Sequence, residues 1–105
     1  MKKLKVIICP AEREPYVTNV SYTLEALQKA VGGYIGKVTV RKDVVMLCNE
    51  EGLLMKLPKN RSFFLSGIRG DCLICGVDGE EFASLSEPDC GKLLKLCKDR
   101  FRKEE

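Results

Sequence analysis

The chain has no histidine among its 105 residues. This removes the commonest general base at neutral pH, and with it the Ser-His and Cys-His nucleophile pairs of covalent catalysis. No apolar run approaches the roughly 20 residues needed to cross a bilayer. The opening MKKLKVIICPAEREP has a basic start and a short apolar stretch, but neither the length nor the small-residue cleavage site of an export signal. Leu4 to Cys9 is therefore read as a first strand, and the expected compartment is the cytoplasm. A large charge excess is missing as well: 18 basic residues stand against 15 acidic ones, a net +3. That permits an anionic partner without the basic stripe typical of nucleic-acid binders. No repeat, linker or low-complexity segment divides the sequence, and its length suits a single domain, 1–105.

With 45% hydrophobic and 31% charged residues, the composition is that of a globular domain. At this size a single layer of helices on a sheet is expected to bury the apolar residues. Six cysteines are present. In a reducing cytosol they act as small buried apolar residues rather than as disulfides. CLIC is a CxxC, the spacing of zinc and redox sites. Zinc needs four ligands, and without histidine the others would come mainly from Cys9, Cys48, Cys90 and Cys97, none of which forms a second CxxC. Alternation along a strand would turn Cys72 and Cys75 to opposite faces, and CLIC does not sit at a helix N-terminus, where thiol pKa values fall. No metal and no cofactor are expected.

Hydrophobic spacing places the elements. KLKVIICP reads as a strand stopped by Pro10, and Tyr16 to Val20 as a short second strand. TLEALQKAV is a helix with Leu24, Leu27 and Val31 on one side, capped by Thr23 and favoured by Glu25 in its first turn. The following VGGYIG raises the question of a phosphate loop. Such loops precede helices, where free N–H groups face the anion; these glycines follow one, so a helix C-cap leading into a strand is expected. YIGKVTVRKDVVMLCNEEGLLMKLP reads as a three-stranded meander, with strands at Val38 to Val40, Val44 to Cys48 and Leu53 to Leu57. GDCLICGVDGEEFASLS is a strand, an Asp-Gly turn and a strand. SEPDCGKLLKLCKDRFRKEE is a helix capped by Ser86, with Cys90, Leu93, Leu94, Cys97 and Phe101 as its apolar stripe.

Two segments invite a functional reading. Glu50 and Glu51 are adjacent at a turn and are read as solvated rather than as a catalytic pair. KLPKNRSFF gathers Lys56, Lys59 and Arg61 around Asn60, with Phe63 and Phe64 beside them. A guanidinium fork for phosphate, an amide and a ring for stacking would suit a nucleotide-like ligand or a single strand of nucleic acid.

Taken together, TLEALQKAVGGYI and VVMLCNEEGLLMKLPKNR resemble a small domain family of unknown function found in bacteriophages, plasmids and the bacteria that carry them. The likeness continues more weakly through IRGDCLICGVDGEEFASLS, to Ser86. It implies a mobile-element protein in the cytoplasm of a bacterial host and brings no established activity.

These readings converge on an α+β domain. Its expected architecture is a twisted, mainly antiparallel sheet of about five to six strands, with one helix packed on a face and an amphipathic C-terminal helix against the sheet or a partner. The expected function is non-enzymatic: counter-defence by sequestering a small anionic, nucleotide-derived immune signal at Tyr34, Lys59, Asn60, Arg61 and Phe63. The alternatives are a protein-interaction inhibitor of a host defence enzyme and a nucleic-acid-binding module. A sheet edge could also support homo-oligomers.

Overall fold

A computed structural model of the chain describes residues 2–62 and 68–103. The elements run β1 (Lys3–Cys9), β2 (Tyr16–Ser21), α1 (Leu24–Val31), β3 (Ile35–Arg41), β4 (Val44–Asn49), β5 (Cys72–Asp78), β6 (Glu81–Ala83) and α2 (Glu87–Lys103). The fold is α+β. Among the described residues the strands form one six-stranded sheet of order β2-β1-β5-β4-β3, every pair antiparallel. On one flank of β5, β1 takes residues 72–74 and β6 takes residues 76–78. Beyond β6 the chain stays with β1, through Leu85 N–H to the Lys5 carbonyl at 3.0 Å and Lys5 N–H to Ser84 Oγ at 2.9 Å.

The side-chain alternation of the three inner strands explains the layering. Ile7 and Cys9, Val44 and Met46, and Cys72 and Ile74 point to one face, where Cys90 and Cys97 of α2 complete the cluster. Leu4, Val6 and Ile8, Val45 and Leu47, and Leu73 and Cys75 point to the other, where Leu27 and Val31 of α1 close it. A single helical layer would leave one of these faces in water. Near-continuous apolar runs such as VIIC, VVML and CLIC are what strands buried on both faces require. The helices therefore lie on opposite faces, a correction to the single layer expected from chain length.

Local chemistry sets the helix ends. Thr23 Oγ1 accepts from Ala26 N–H at 3.1 Å, and Gly32 takes φ +79 while its N–H returns to the Gln28 carbonyl at 2.8 Å. Leu24 nevertheless faces water, so only Leu27 and Val31 of the expected stripe are buried. In α2, Ser86 Oγ accepts from Asp89 N–H at 3.3 Å; Cys90, Cys97 and Phe101 are buried, and Leu93 and Leu94 pack against the same cluster. Ion pairs Lys5–Glu87, Arg41–Asp89 and Arg102–Glu14 tie α2 to β1, to the end of β3 and to the loop before β2. They are solvent-accessible and orient the helix more than they stabilise it.

The third meander strand is not formed. Residues 50–56 make consecutive turns, with Met55 N–H bonded to the Glu51 carbonyl at 2.8 Å and Leu57 N–H to the Gly52 carbonyl at 3.0 Å. The reason lies in the sheet: β3 and β5 already occupy both flanks of β4, so Leu53 to Leu57 has no strand beside β4 to join. The later hairpin forms as expected: Asp78 pairs with Glu81 across a two-residue loop whose first residue, Gly79, has φ +66. Phe63 and Phe64, read as possible stacking rings, lie outside the described residues.

Two glycines test the packing in opposite directions. A Cβ on Gly76 would lie 2.8 Å from the Ser84 carbonyl oxygen, a backbone atom just beyond β6, whereas one on Gly91, inside α2, meets nothing within 4 Å. Urea denaturation should show Gly76→Ala destabilised by about 1–3 kcal/mol, and Gly91→Ala stabilised by about 0.5–1 kcal/mol through its better helix propensity.

Candidate functional site

The residues that mark the sequence most strongly turn out to hold segments together. Asn49 ends β4 and is buried. Its Nδ2 donates to the Val31 carbonyl at the end of α1, at 3.3 Å, and its Oδ1 accepts from Glu51 N–H at 2.8 Å. A Cβ on Gly33 would lie 2.9 Å from that Nδ2. VGGYI and CNEEG are thus two halves of one joint, in which Asn49 closes the helix and starts the next turn. Asn60, 1% exposed, does the same between loops. Its Nδ2 donates to the carbonyls of Cys9 and Gly70, each at 2.9 Å, and its Oδ1 accepts from Ser62 N–H at 2.9 Å.

Arg61 turns toward α2. Its guanidinium lies 4.0 Å from the Phe101 ring centroid and donates to the Phe101 carbonyl at 3.3 Å, while its N–H bonds the Ala11 carbonyl at 3.0 Å. A cation over a ring at a helix C-terminus is favourable on both counts. Lys59 is exposed and forms an isolated β-bridge with Arg69. Tyr34 is 65% exposed and precedes β3, at the far edge of the sheet from β1. Asn60 and Arg61 sit instead beside the end of β1, and Phe63 lies outside the described residues. Tyr34 is therefore separated from Asn60 and Arg61 by β4 and β5. The depressions beside α1 and at the β3–β4 end include none of Tyr34, Lys59, Asn60 or Arg61.

A different group converges. α1 is only eight residues long and packs over the inner strands, leaving a groove of about 320 Å³ between itself and β2. That is the size of a small-molecule site. Ile8, Val20, Ala26 and Ala30 contribute its apolar wall. Tyr16 and Thr18 pair with Ile8 and Val6, so they share the α1 side of the sheet and line the groove as well. Arg13 comes from the loop after β1, Lys29 from α1 and Asp71 from the start of β5. Asp71 is fixed by accepting Ala11 N–H at 2.9 Å. Lys29 also borders two adjoining depressions, of about 190 Å³ toward Leu57 and Gly70 and about 400 Å³ toward Ser21 and Thr23. Arg13, Lys29, Tyr16, Thr18 and the anchored Asp71 thus line the groove, and Glu25 borders the depression beyond Lys29. Sequence reasoning passed over Arg13, Tyr16 and Lys29. The available signal was the alternation of Tyr16, Thr18 and Val20 along the second strand.

A family profile described as Domain of unknown function (DUF3846) matches residues 1–98. The chain belongs to the DUF3846 family. No curated protein and no solved structure matches it. The match covers both asparagine joints and the whole groove of this DUF3846 domain, and stops before Phe101.

The thiols of the DUF3846 fold are core groups. Cys72 lies on the α2 side of β5 and Cys75 on the α1 side, as strand alternation demands. Among the described residues no three His, Cys, Asp or Glu side chains are grouped to hold a metal ion. Burial pushes the Cys75 thiol up to about 11 and raises Cys72 further. Cys9 is raised by its hydrogen bond with Cys97 and then by burial, and half-buried Cys48 by burial and by Glu50. The raised thiols, Cys9, Cys48, Cys72 and Cys75, are weak nucleophiles at neutral pH, while the contact with Cys9 lowers buried Cys97.

Two outcomes follow from these contacts. Asn60→Ala should lower stability by about 2–4 kcal/mol in chemical denaturation, because two carbonyls and one N–H lose their partner in the interior. Thiols whose pKa is raised on folding stabilise the native state below their unfolded pKa, and this contribution is lost as pH rises through the folded value. Under reducing conditions the urea midpoint should therefore fall above about pH 8.5, the ordinary thiol value, with a shallower fall in Cys75→Val.

Proposed function

We propose that this DUF3846 protein acts by holding a small anionic, nucleotide-like molecule in the groove between β2 and α1, without transforming it. The observation that supports this reading is the convergence of Arg13 and Lys29, from separate elements, beside the Tyr16 ring and an apolar wall in about 320 Å³. The cations suit phosphate or phosphodiester oxygens. The ring suits the face of a base. Thr18 offers a hydroxyl that can donate or accept. Sequestration asks only for tight binding, and the raised thiols and the absence of histidine fit such a role. In the mobile-element setting that the sequence resembles, the ligand class is a nucleotide-derived immune signal and the role is counter-defence. This reading moves the ligand contacts from loop 59–61, whose Asn60 and Arg61 serve the fold, to the groove.

One surface favours a second reading. Leu53, Leu54 and Met55 are 68%, 81% and 52% exposed on consecutive turns, the kind of apolar tip that docks on a protein. The partner would then be a host defence enzyme.

Titration calorimetry against cyclic dinucleotides and cyclic ADP-ribose variants separates the two. Ligand capture predicts saturable heat with at least one of them. Arg13→Ala and Lys29→Ala should each weaken binding by about tenfold or more, roughly 1.4 kcal/mol, with folding unchanged because both side chains are exposed. No heat with any of these compounds from folded protein would remove the ligand reading. A stoichiometric host protein in a pull-down, lost in Leu54→Lys, would put the docking reading in its place.

A further inference from the structure

The two edges of the sheet differ in how they are protected. β3 has Lys37 and Arg41 on the strand, and its register with β4 slips between Thr39 and Arg41, leaving Val40 as an extra residue. Charges and a bulge are the usual means of preventing an edge from pairing. β2 has neither. Its sequence YVTNVS contains no charge and no proline, and it pairs with β1 in unbroken register from Lys3↔Ser21 to Ile8↔Tyr16. Among the described residues, its backbone bonds are those with β1 and one local bond, from Thr23 N–H to the Ser21 carbonyl at 2.9 Å. Among the described residues, the outward N–H and C=O groups of this six-residue strand thus have no second strand to pair with.

We propose that two copies of this chain pair through β2, antiparallel about a two-fold axis, to form one continuous sheet. A second copy is the favoured occupant because the edge is self-complementary. An antiparallel strand pair exchanges N–H···O bonds reciprocally, and YVTNVS opposes no like charges when laid against itself. Tyr16 and Val17, 48% and 36% exposed, add apolar surface to the ladder. A six-residue ladder with two apolar side chains is a small interface, so the dimer is concentration-dependent.

The pairing bears on the proposed site, and this part rests on the ligand reading. The groove runs along β2 with Arg13 and Tyr16 at the start of the strand, and the depression with Ser21 and Thr23 lies at its end. Antiparallel pairing sets the first in one copy against the second in the other, so each trough runs on into its mate. A ligand with two phosphates on one scaffold would then meet cations from both copies.

Sedimentation equilibrium up to about 100 μM tests the dimer. The expected mass is twice the 11.8 kDa of the chain. Asn19→Lys and Val17→Lys, both at exposed edge positions, should return the protein to monomer with an unchanged circular dichroism spectrum, while Thr39→Lys on the opposite edge should leave the dimer intact. A monomeric wild type at that concentration, or a dimer indifferent to both β2 substitutions, would overturn the proposal. Hydrogen exchange needs no variant: β2 amides that β1 does not reach should become protected as concentration rises, and uniformly fast exchange contradicts the pairing. Calorimetry on Val17→Lys, a position outside the groove, separates the claims. Binding weakened only in the monomeric variant supports the shared trough, whereas undiminished binding removes the shared trough and leaves both dimer and groove.

Discussion

The three inner strands carry apolar side chains on both faces, so neither face of the sheet can be left to water. Ile7, Met46 and Ile74 need one cover, and Val6, Leu47 and Leu73 need another. At roughly 1.5–3 kcal/mol for each fully buried large aliphatic side chain, leaving either set exposed would exceed the marginal stability of a domain this small. The chain meets this with two helices of unequal length. The seventeen-residue α2 spans one face, while the eight-residue α1 covers only part of the other. The incomplete cover creates the groove: what α1 does not reach is the strip beside β2, where Arg13, Tyr16 and Lys29 meet.

Connecting these layers in a short chain puts heavy demands on the loops. Segment 49–62 crosses from β4 to the end of β1 without regular structure, and such a path exposes backbone groups that must find partners. Asn49 and Asn60 supply them, one closing α1 onto β4 and the other joining the ends of β1 and β5. A buried asparagine is well suited to this work because its amide both donates and accepts. The stretches VGGYI, CNEEG and KNR are therefore largely architectural in this chain.

Much of the fold could be read from residue order. The Thr23 cap, the Gly32 close, the hairpin at Asp78-Gly79 and the stripe Cys90, Leu93, Leu94, Cys97 and Phe101 follow from local chemistry alone. The opposed directions of Cys72 and Cys75 follow from strand period. What residue order did not show depended on neighbours distant in sequence. Leu53 to Leu57 has strand-like composition, but the flanks of β4 are taken. Arg61 has the chemistry of a phosphate fork, but Phe101, forty residues later, offers it a ring and a carbonyl. Arg13 and Lys29 carry no motif, and only folding β2 beside α1 makes them neighbours.

The central claim is that loop 59–61 serves the scaffold and that the β2–α1 groove serves the ligand. Amide chemical-shift mapping during titration with a cyclic dinucleotide or cyclic ADP-ribose variant that binds in calorimetry tests this division most directly. The account predicts shifts concentrated at Arg13, Tyr16 to Val20 and Ala26 to Ala30, with Asn60 and Arg61 little changed. Shifts centred on Tyr34 and on Lys59 to Ser62, with the groove silent, would contradict it.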